Sequence, residues 1–220
     1  MGMDYFIRTR SDLERMIREV GVVPFFRNKV TGWSVEEHID RAVWFTDQDG
    51  PWEWKGPLAF EKKCAYGKLI RNKTAFVSLE WFPDLANWRR EGYGFDARVD
   101  EGLAPYRDRL LMDWLSAHPC SLSSEAKRGC GFTEGYDAVL TRLEMQTYVL
   151  NADFRYSIDR HGRPYGWGSA VLCPTDDWLD EAQRAAPEGR SPAESFERLF
   201  GHLRALMPEA DEETLRRELK

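Results

Sequence analysis

The order of predicted elements between Leu103 and Pro174 constrains the fold of this chain more than any other feature. Apolar residues recur at helical spacing in three stretches, and two aromatic-rich extended stretches follow them. The predicted elements are three helices, over 106–117, from 121 or 123 to 129 and over about 134–147, and two strands, over 148–158 and 165–172. Three helices followed by a β-hairpin form a helix-turn-helix with an added wing. The sequence therefore predicts a winged-helix unit, used either to bind DNA or only for packing or dimerisation.

The start of the chain carries helix-capping signals. Ser11 and Ser34 each begin a pattern in which a hydroxyl and a carboxylate three residues later exchange hydrogen bonds with the backbone. Two short helices are expected to begin there. The apolar run 22–26 between them is too hydrophobic for a surface loop and is expected to be buried.

A small β-hairpin is predicted in the middle of the first hundred residues. Two brief extended segments, 65–70 and 74–78, surround a polar turn. A helix is expected to follow from Ser78, because Pro83 is tolerated if it lies near the first turn. The glycines around residue 93 then break the pattern.

The last fifty residues are predicted to be helical. Thr175 is a candidate helix cap, Ser191 begins a further capping box, and Asp211 opens a last helix. An apolar stripe from 196 to 206 predicts packing on the body of the fold. Docking of this stripe on a partner helix is the alternative.

These patterns together predict an α+β fold that is mostly helical. Three units are expected. They are an N-terminal helical unit with a small β-hairpin at 1–100, a winged-helix unit at 101–174 and a C-terminal helical extension at 175–220.

Several classes of protein lack their signature in this sequence. No apolar run approaches the roughly 18 residues of a membrane span, and the first residues lack the regions of a signal peptide. We therefore expect a cytoplasmic protein with no membrane partner. The cysteines and histidines are scattered without metal-binding spacing, and no nucleotide-binding motif occurs. No metal and no cofactor are expected, and the cysteines are expected to be buried free thiols.

The charge is distributed unevenly along the chain. The net charge is −6, but residues 171–220 hold 12 acidic and 7 basic side chains, so the rest is nearly neutral. A local basic strip for DNA phosphates is therefore compatible with the composition. The alternative is a set of scattered, solvated charges. The candidate DNA-binding residues are Lys68, Arg71, Lys73, Arg89, Arg90, Arg155, Arg160 and Arg163.

Longer stretches of the chain resemble a known family. Residues 64–83, CAYGKLIRNKTAFVSLEWFP, resemble an aromatic-rich segment of the AlkZ and YcaQ winged-helix DNA glycosylases, and residues 106–148 resemble their later helix-turn-helix. The whole chain is most similar to the shorter AlkZ-related proteins, on the words WEW, AYGK, EWFP, MQTY and YGW. The resemblance implies tandem winged-helix units and removal of damaged bases from DNA. Those enzymes use a Gln-x-Gln or Gln-x-Asp motif, and this sequence contains no such triplet.

A carboxylate between aromatic rings is the nearest chemical substitute for that motif. Glu53 lies between Trp52 and Trp54, where burial against indole would raise its pKa and the rings would stack an extruded base. The alternative is that this segment is a strand or a loop anchor. Both indoles then point into the core of the protein, and Glu53 faces solvent. The candidate stacking or pocket residues are Trp52, Trp54, Tyr66 and Trp81.

Glu80 is the reserve candidate for an acid or water-orienting group. Its place after Ser78 equally suits an ordinary acid in a first helical turn. Three functions remain open from the sequence. They are a DNA glycosylase or lesion-binding enzyme, a winged-helix DNA-binding protein without catalysis, and a protein-interaction module whose acidic tail repels nucleic acid.

Overall fold

The computed structural model describes residues 4–46 and 48–220, apart from the side chains of Pro164, Tyr165 and Trp167. The helices are α1 (Arg10–Val20), α2 (Val35–His38), α3 (Pro51–Phe60), α4 (Phe82–Arg89), α5 (Phe95–Asp100), α6 (Tyr106–Ala117), α7 (Ser123–Gly129), α8 (Tyr136–Met145), α9 (Thr175–Trp178), α10 (Glu181–Ala185), α11 (Pro192–Leu206) and α12 (Glu212–Leu219). The strands are β1 (Val22–Pro24), β2 (Ala65–Ile70), β3 (Lys73–Val77), β4 (Ser121–Leu122), β5 (Val149–Ile158) and β6 (Pro164–Pro174). The expected α+β class is confirmed.

The first sheet contains the predicted hairpin. Strands β2 and β3 pair in antiparallel register, and β1 adds to the other side of β3. Arg71 and Asn72 form the two-residue turn with φ of 53° and 58°, the sign that a type I′ turn requires at both positions. The run 22–26 is buried up to Phe25, whereas Phe26 is exposed.

Two helices begin at other residues than the sequence predicted. Helix α1 is capped by Thr9, not Ser11, because the Thr9 hydroxyl accepts from the Asp12 backbone and the Asp12 carboxylate accepts from the Thr9 backbone. The helix expected from Ser78 begins at Phe82, because the Ser78 backbone N–H is still bonded to the carbonyl of Gly21 beside the sheet. At Ser34 the expected helix start is confirmed.

The predicted order of elements between 103 and 174 is confirmed. Helices α6, α7 and α8 are followed by the β5–β6 hairpin, and the short strand β4 adds to β6 to give the order β4-β6-β5. Helix α8 is shorter than the predicted 134–147. It starts after Gly135 (φ 70°) and ends before Thr147 (φ 63°), two positions with left-handed backbone that no α-helix includes.

The buried side chains form two apolar cores. The first joins the N-terminal sheet and helices to the C-terminal helices, whose stripe Phe196, Leu199, Phe200 and Leu203 is buried in it. The second joins α6, α7 and α8 to the base of the β5–β6 hairpin. The prediction that the stripe packs on the body of the fold is therefore confirmed, and the tail shares its core with the first hundred residues.

The caps of the C-terminal helices follow the sequence closely. The Ser191 hydroxyl accepts from the Glu194 backbone, and Asp211 accepts from the Thr214 backbone. Thr175 is the first residue of α9 and Pro174 is the cap, contrary to the expectation for Thr175. Within the described part of the chain, no helix has the length and apolar content that a membrane crossing needs.

Candidate functional site

A polar cluster lies at the seam between the two cores, where α8 and β5 face β2. Asn151 of β5 donates a hydrogen bond to the Glu144 carboxylate of α8 at 2.6 Å, and Lys68 of β2 donates to Thr141 of α8 at 2.8 Å. Glu144 is 1% exposed. Burial raises the pKa of Glu144 to about 7, although the nearby charge of Lys68 opposes this shift.

Gly67 of β2 leaves the space that this cluster occupies. A Cβ atom at Gly67 would lie 3.3 Å from Glu144 Oε1 and 3.5 Å from Asn151 Nδ2. A larger residue would therefore press on the carboxylate. Helix α8 packs on β2 of the N-terminal sheet, so the carboxylate of Glu144 lies at the seam and not on an outer surface.

A buried lysine lies nearby, between α3 and the middle of β5. Lys55 Nζ is 3.8 Å from the ring centroid of Trp52 and 4.4 Å from that of Phe154, and it donates to the Trp52 carbonyl. Within the described residues, Lys55 forms no ion pair. Burial lowers the pKa of Lys55 to about 8, with Glu53 acting in the opposite direction. Sequence reasoning missed Lys55, although its spacing from Trp52 is that of one helical turn.

Glu53 lies in the first turn of α3, not on a strand. Its carboxylate accepts from the Gly50 backbone at 3.0 Å and so caps the helix, while the side chain itself is exposed. Trp52 and Trp54 are half-buried against the first core. The sandwich of Glu53 between two indoles does not form. Both indoles pack on the core and Glu53 faces solvent, as in the alternative, but on a helix and not on a strand.

Tyr156 lies on β5 beyond Phe154, in the neighbourhood of Glu53 and further acidic residues. The Tyr156 hydroxyl is buried and has no hydrogen-bond partner among the described atoms. Burial first, and then the charges of Glu53, Asp153 and Asp49, raise the pKa of Tyr156. Glu53, Lys55 and Tyr156 therefore occupy one neighbourhood, which we call the α3–β5 cluster. Its acid–base groups make it a candidate chemical site.

The other predicted pocket residues lie apart from Glu53 or deep in the core. Glu80 is exposed in the turn before α4, so it is not an acid of a first helical turn. Trp81 stacks on His202 of α11 at 4.3 Å. Tyr66 is 1% exposed and touches Phe154 with a 5.8 Å ring separation, so it is a core residue beneath the α3–β5 cluster.

Two of the candidate DNA-binding arginines serve the fold. Arg89 donates to the carbonyls of Leu69, Leu219 and Lys220, and Arg90 bonds Thr147 and Asp176. These contacts connect α4 to the last residues of α12, to the turn after α8 and to α9. The predicted basic strip is therefore divided, and its exposed members belong to two surfaces.

The first surface is the outer part of the β5–β6 hairpin, where Arg155, Arg160 and Arg163 are exposed. The second is a groove of about 400 Å³ beside the β2–β3 turn. Its basic lining residues are Arg27, Lys29, Arg71 and Lys73. Lys68 is close in sequence to Arg71 and Lys73 but does not line this groove. Its side chain is hydrogen-bonded to Thr141 at the seam.

Comparison with known proteins assigns the chain to a family. A family model described as AlkZ related matches residues 7–220. The chain belongs to the AlkZ-related family. No curated protein and no solved structure matches it. In this AlkZ-related chain, the segments AYGK (65–68) and MQTY (145–148) lie at the seam beside Glu144. Among the described residues, no group of three or more His, Cys, Asp or Glu side chains is arranged to hold a metal ion.

Proposed function

We propose that the protein binds DNA and uses residues 103–174 as a winged helix. The observation that carries this proposal is the outer half of the β5–β6 hairpin. Arg155, Arg160 and Arg163 are exposed there, and in the described part of the chain none of them forms an ion pair, although Arg160 contacts the His161 ring. Uncompensated arginines on a projecting hairpin suit phosphate contacts, which supply most of the affinity of non-specific DNA binding.

The wing, rather than α8, supplies the main backbone contacts in this proposal. One side of α8 is covered by β2, and Arg142 of α8 forms an ion pair with the buried Asp108 of α6. The exposed residues at the start of α8 include Asp137, whose charge repels phosphate. Base reading by this helix is accordingly limited, and affinity depends on the hairpin.

The basic groove provides a second phosphate contact. Lys29, Arg71 and Lys73 form no ion pair within the described residues, and Arg27 contacts Glu36 only at 4.0 Å. Phe26, which is 36% exposed, lies at the same groove and offers a ring surface. A nucleic-acid strand passing both surfaces would meet the basic residues that do not serve the fold.

Base removal is the second candidate activity, and the α3–β5 cluster favours it. A glycosylase without a covalent step needs a group that positions water and an environment that stabilises the positive sugar. Glu53 is exposed enough to reach water, and Asp49 and Asp153 add negative charge at the same place. The cluster also lies next to the point where the hairpin leaves the core. In this proposal Glu53 orients the water, and Glu80 is the reserve.

DNA binding is tested by fluorescence anisotropy of labelled duplex and single-stranded DNA over a salt series. We expect binding that weakens steeply with salt. We also expect the Arg160→Glu/Arg163→Glu double variant to bind at least about tenfold more weakly, with a salt slope reduced by about 2. Arg217→Glu on α12 is the matched control and should bind as the wild type. Absence of binding at low salt to every DNA would sink the proposal in favour of a protein-interaction module.

Base removal is tested on alkylated and crosslinked DNA with the wild type, Glu53→Gln and Glu80→Gln. Loss of base release only in Glu53→Gln, with folding and DNA binding intact, supports the role of Glu53. Unchanged release in Glu53→Gln removes that role. No release by the wild type leaves DNA binding without catalysis.

A further inference from the structure

Two cysteines far apart in sequence lie side by side at the edge of the second sheet. Cys120 directly precedes β4, Cys173 lies near the end of β6, and their sulfur atoms are 2.7 Å apart. The strands pair Ser121 with Leu172. In antiparallel register the next facing pair is therefore Cys120 and Cys173, so the sheet itself places the two side chains together.

This pairing satisfies the backbone requirement of a disulfide. Directly facing residues of antiparallel strands have Cα atoms about 4.5 to 5.5 Å apart, and disulfides accept Cα separations of about 4.4 to 6.8 Å. Cys120 also has a φ of 56°, as the chain turns sharply from α6 into β4. Closing a bond between the sulfur atoms needs side-chain rotation and little movement of the strands.

The two thiols differ in solvent exposure, so they would have different roles in an oxidation. Cys120 is exposed, so a small oxidant reaches its sulfur. Cys173 is buried, and burial together with the neighbouring Cys120 sulfur raises the pKa of Cys173 to about 12. Cys173 therefore stays a thiol until its neighbour has reacted.

The remaining cysteines have no such arrangement. Cys64 is fully buried in the first core, and burial raises its pKa. Cys130 is half-buried, and its thiol donates to the carbonyl of Leu110 at 3.5 Å. Both are internal controls for any reaction of Cys120 and Cys173.

We propose that Cys120 and Cys173 form a reactive dithiol that peroxides oxidise to a disulfide. The Cys120 sulfur attacks one oxygen of hydrogen peroxide, the O–O bond breaks, and a sulfenic acid and one water form. The Cys173 sulfur then attacks the Cys120 sulfur, the S–O bond breaks, and a second water leaves with the Cys173 proton. Two thiols and one peroxide thus give one disulfide and two waters.

The disulfide fastens the loop after α6 to the end of β6. It joins positions 53 apart in sequence and encloses α7, α8 and the β5–β6 hairpin. A crosslink over a loop of this length restricts the unfolded chain strongly. Oxidation therefore stabilises the 101–174 unit and leaves the arginines of the outer hairpin free.

The test is peroxide treatment of the full chain, followed by intact mass, thiol titration under denaturing conditions, peptide mapping and thermal unfolding. We expect a mass loss of two hydrogens, a fall from four free thiols to two, a peptide joining Cys120 to Cys173, and a melting temperature raised by roughly 5 to 10 °C. A dithiol reductant should reverse all four changes.

Variants decide whether this pair is responsible. Cys120→Ser replaces an exposed residue and should fold, but should show neither the crosslink nor the rise in melting temperature. Cys130→Ser, the matched control, should respond as the wild type does. A stable sulfinic acid on Cys120 without a crosslink, or a crosslink through Cys130, would overturn the proposal.

Discussion

The inner and outer halves of the β5–β6 hairpin are both antiparallel strand pairs, but their environments are opposite. In the inner half, Leu150 is buried in the first core and Val149 in the second, so one strand joins both cores. In the outer half, Arg155 and Ile158 are exposed. The base of this hairpin therefore connects the two cores, whereas its outer end is exposed to solvent. Substitutions in the two halves should therefore affect different properties.

The largest expected effect is on the inner half. Leu150→Ala should lower the free energy of unfolding by about 3 to 4 kcal/mol, because it removes a side chain that is 1% exposed and leaves a cavity. Ile158→Ala, on the same strand but 59% exposed, should change it by less than about 0.5 kcal/mol. Urea unfolding of both variants measures this contrast, and equal losses would refute the division of the hairpin.

The next effect concerns Glu144 at the seam and depends on pH. Its pKa is raised from 4.5 to about 7 in the folded protein, so the folded state binds the proton more tightly than the unfolded state. The stabilisation that protonated Glu144 contributes is complete below pH 4.5 and is lost as the pH rises through 7. Relative to Glu144→Gln, the wild type should lose on the order of 3 kcal/mol between pH 4.5 and pH 8.

Unfolding of both proteins by urea at several pH values measures this difference. Glu144→Gln retains the shape of the protonated acid and does not titrate, so it isolates the contribution of Glu144 from other groups. A difference between wild type and variant that does not change with pH would show that Glu144 is charged in the folded protein.

A smaller effect is expected at Lys55 of α3, which contacts Phe154 between the inner and outer halves of the hairpin. Lys55→Met should raise the free energy of unfolding by about 1 kcal/mol at pH 7, because it removes a desolvated charge and keeps the contacts with Trp52 and Phe154. The pKa of Lys55 is lowered from 10.5 to about 8. Its contribution to stability is therefore present above pH 10.5 and lost as the pH falls through 8.

Thermal unfolding of wild type and Lys55→Met from pH 7 to 10 checks this sign. The excess stability of Lys55→Met should shrink as the pH rises above 8 and then reverse, because the wild type gains more than about 1 kcal/mol by pH 10. A destabilised Lys55→Met protein would mean that the ring contacts of the ammonium outweigh its desolvation.

The smallest effect on stability is expected at the outer half. Arg160→Ala/Arg163→Ala should change the free energy of unfolding by less than about 0.5 kcal/mol, since neither residue forms an ion pair within the described residues. The same variant should weaken DNA binding. A large loss of stability would show that the outer hairpin belongs to the fold, and would break the comparison.

Local signals in the sequence were sufficient for much of the secondary structure. The helices and strands of 103–174, the β2–β3 hairpin and the caps at Ser191 and Asp211 follow from periodicity, turn residues and backbone capping. The start of α1 was misplaced by two residues because Thr9 and Ser11 offer competing caps. The segment around Glu53 was misjudged because Gly50-Pro51 starts a helix, which paired aromatic residues alone do not reveal.

The candidate site was predicted only in part. Glu53 and the arginines of the outer hairpin are accessible, and their roles stay predictions. Arg89 and Arg90 were assigned to DNA although they bind the C-terminus and Asp176. Lys55 was missed entirely. Nothing in the neighbouring residues of a charged side chain indicates whether a distant strand will cover it.

By itself, the sequence determined most of the helices and strands, although not all of their ends, because hydrogen bonding, capping and turn geometry act over a few neighbouring residues. Only the tertiary structure decided which face of α8 is covered, that the C-terminal helices share the first core, and that Cys120 meets Cys173. Those outcomes depend on burial against segments distant in the chain. Burial also sets the charge state of Glu144 and Lys55, since the cost of desolvating a charge depends on everything packed around it.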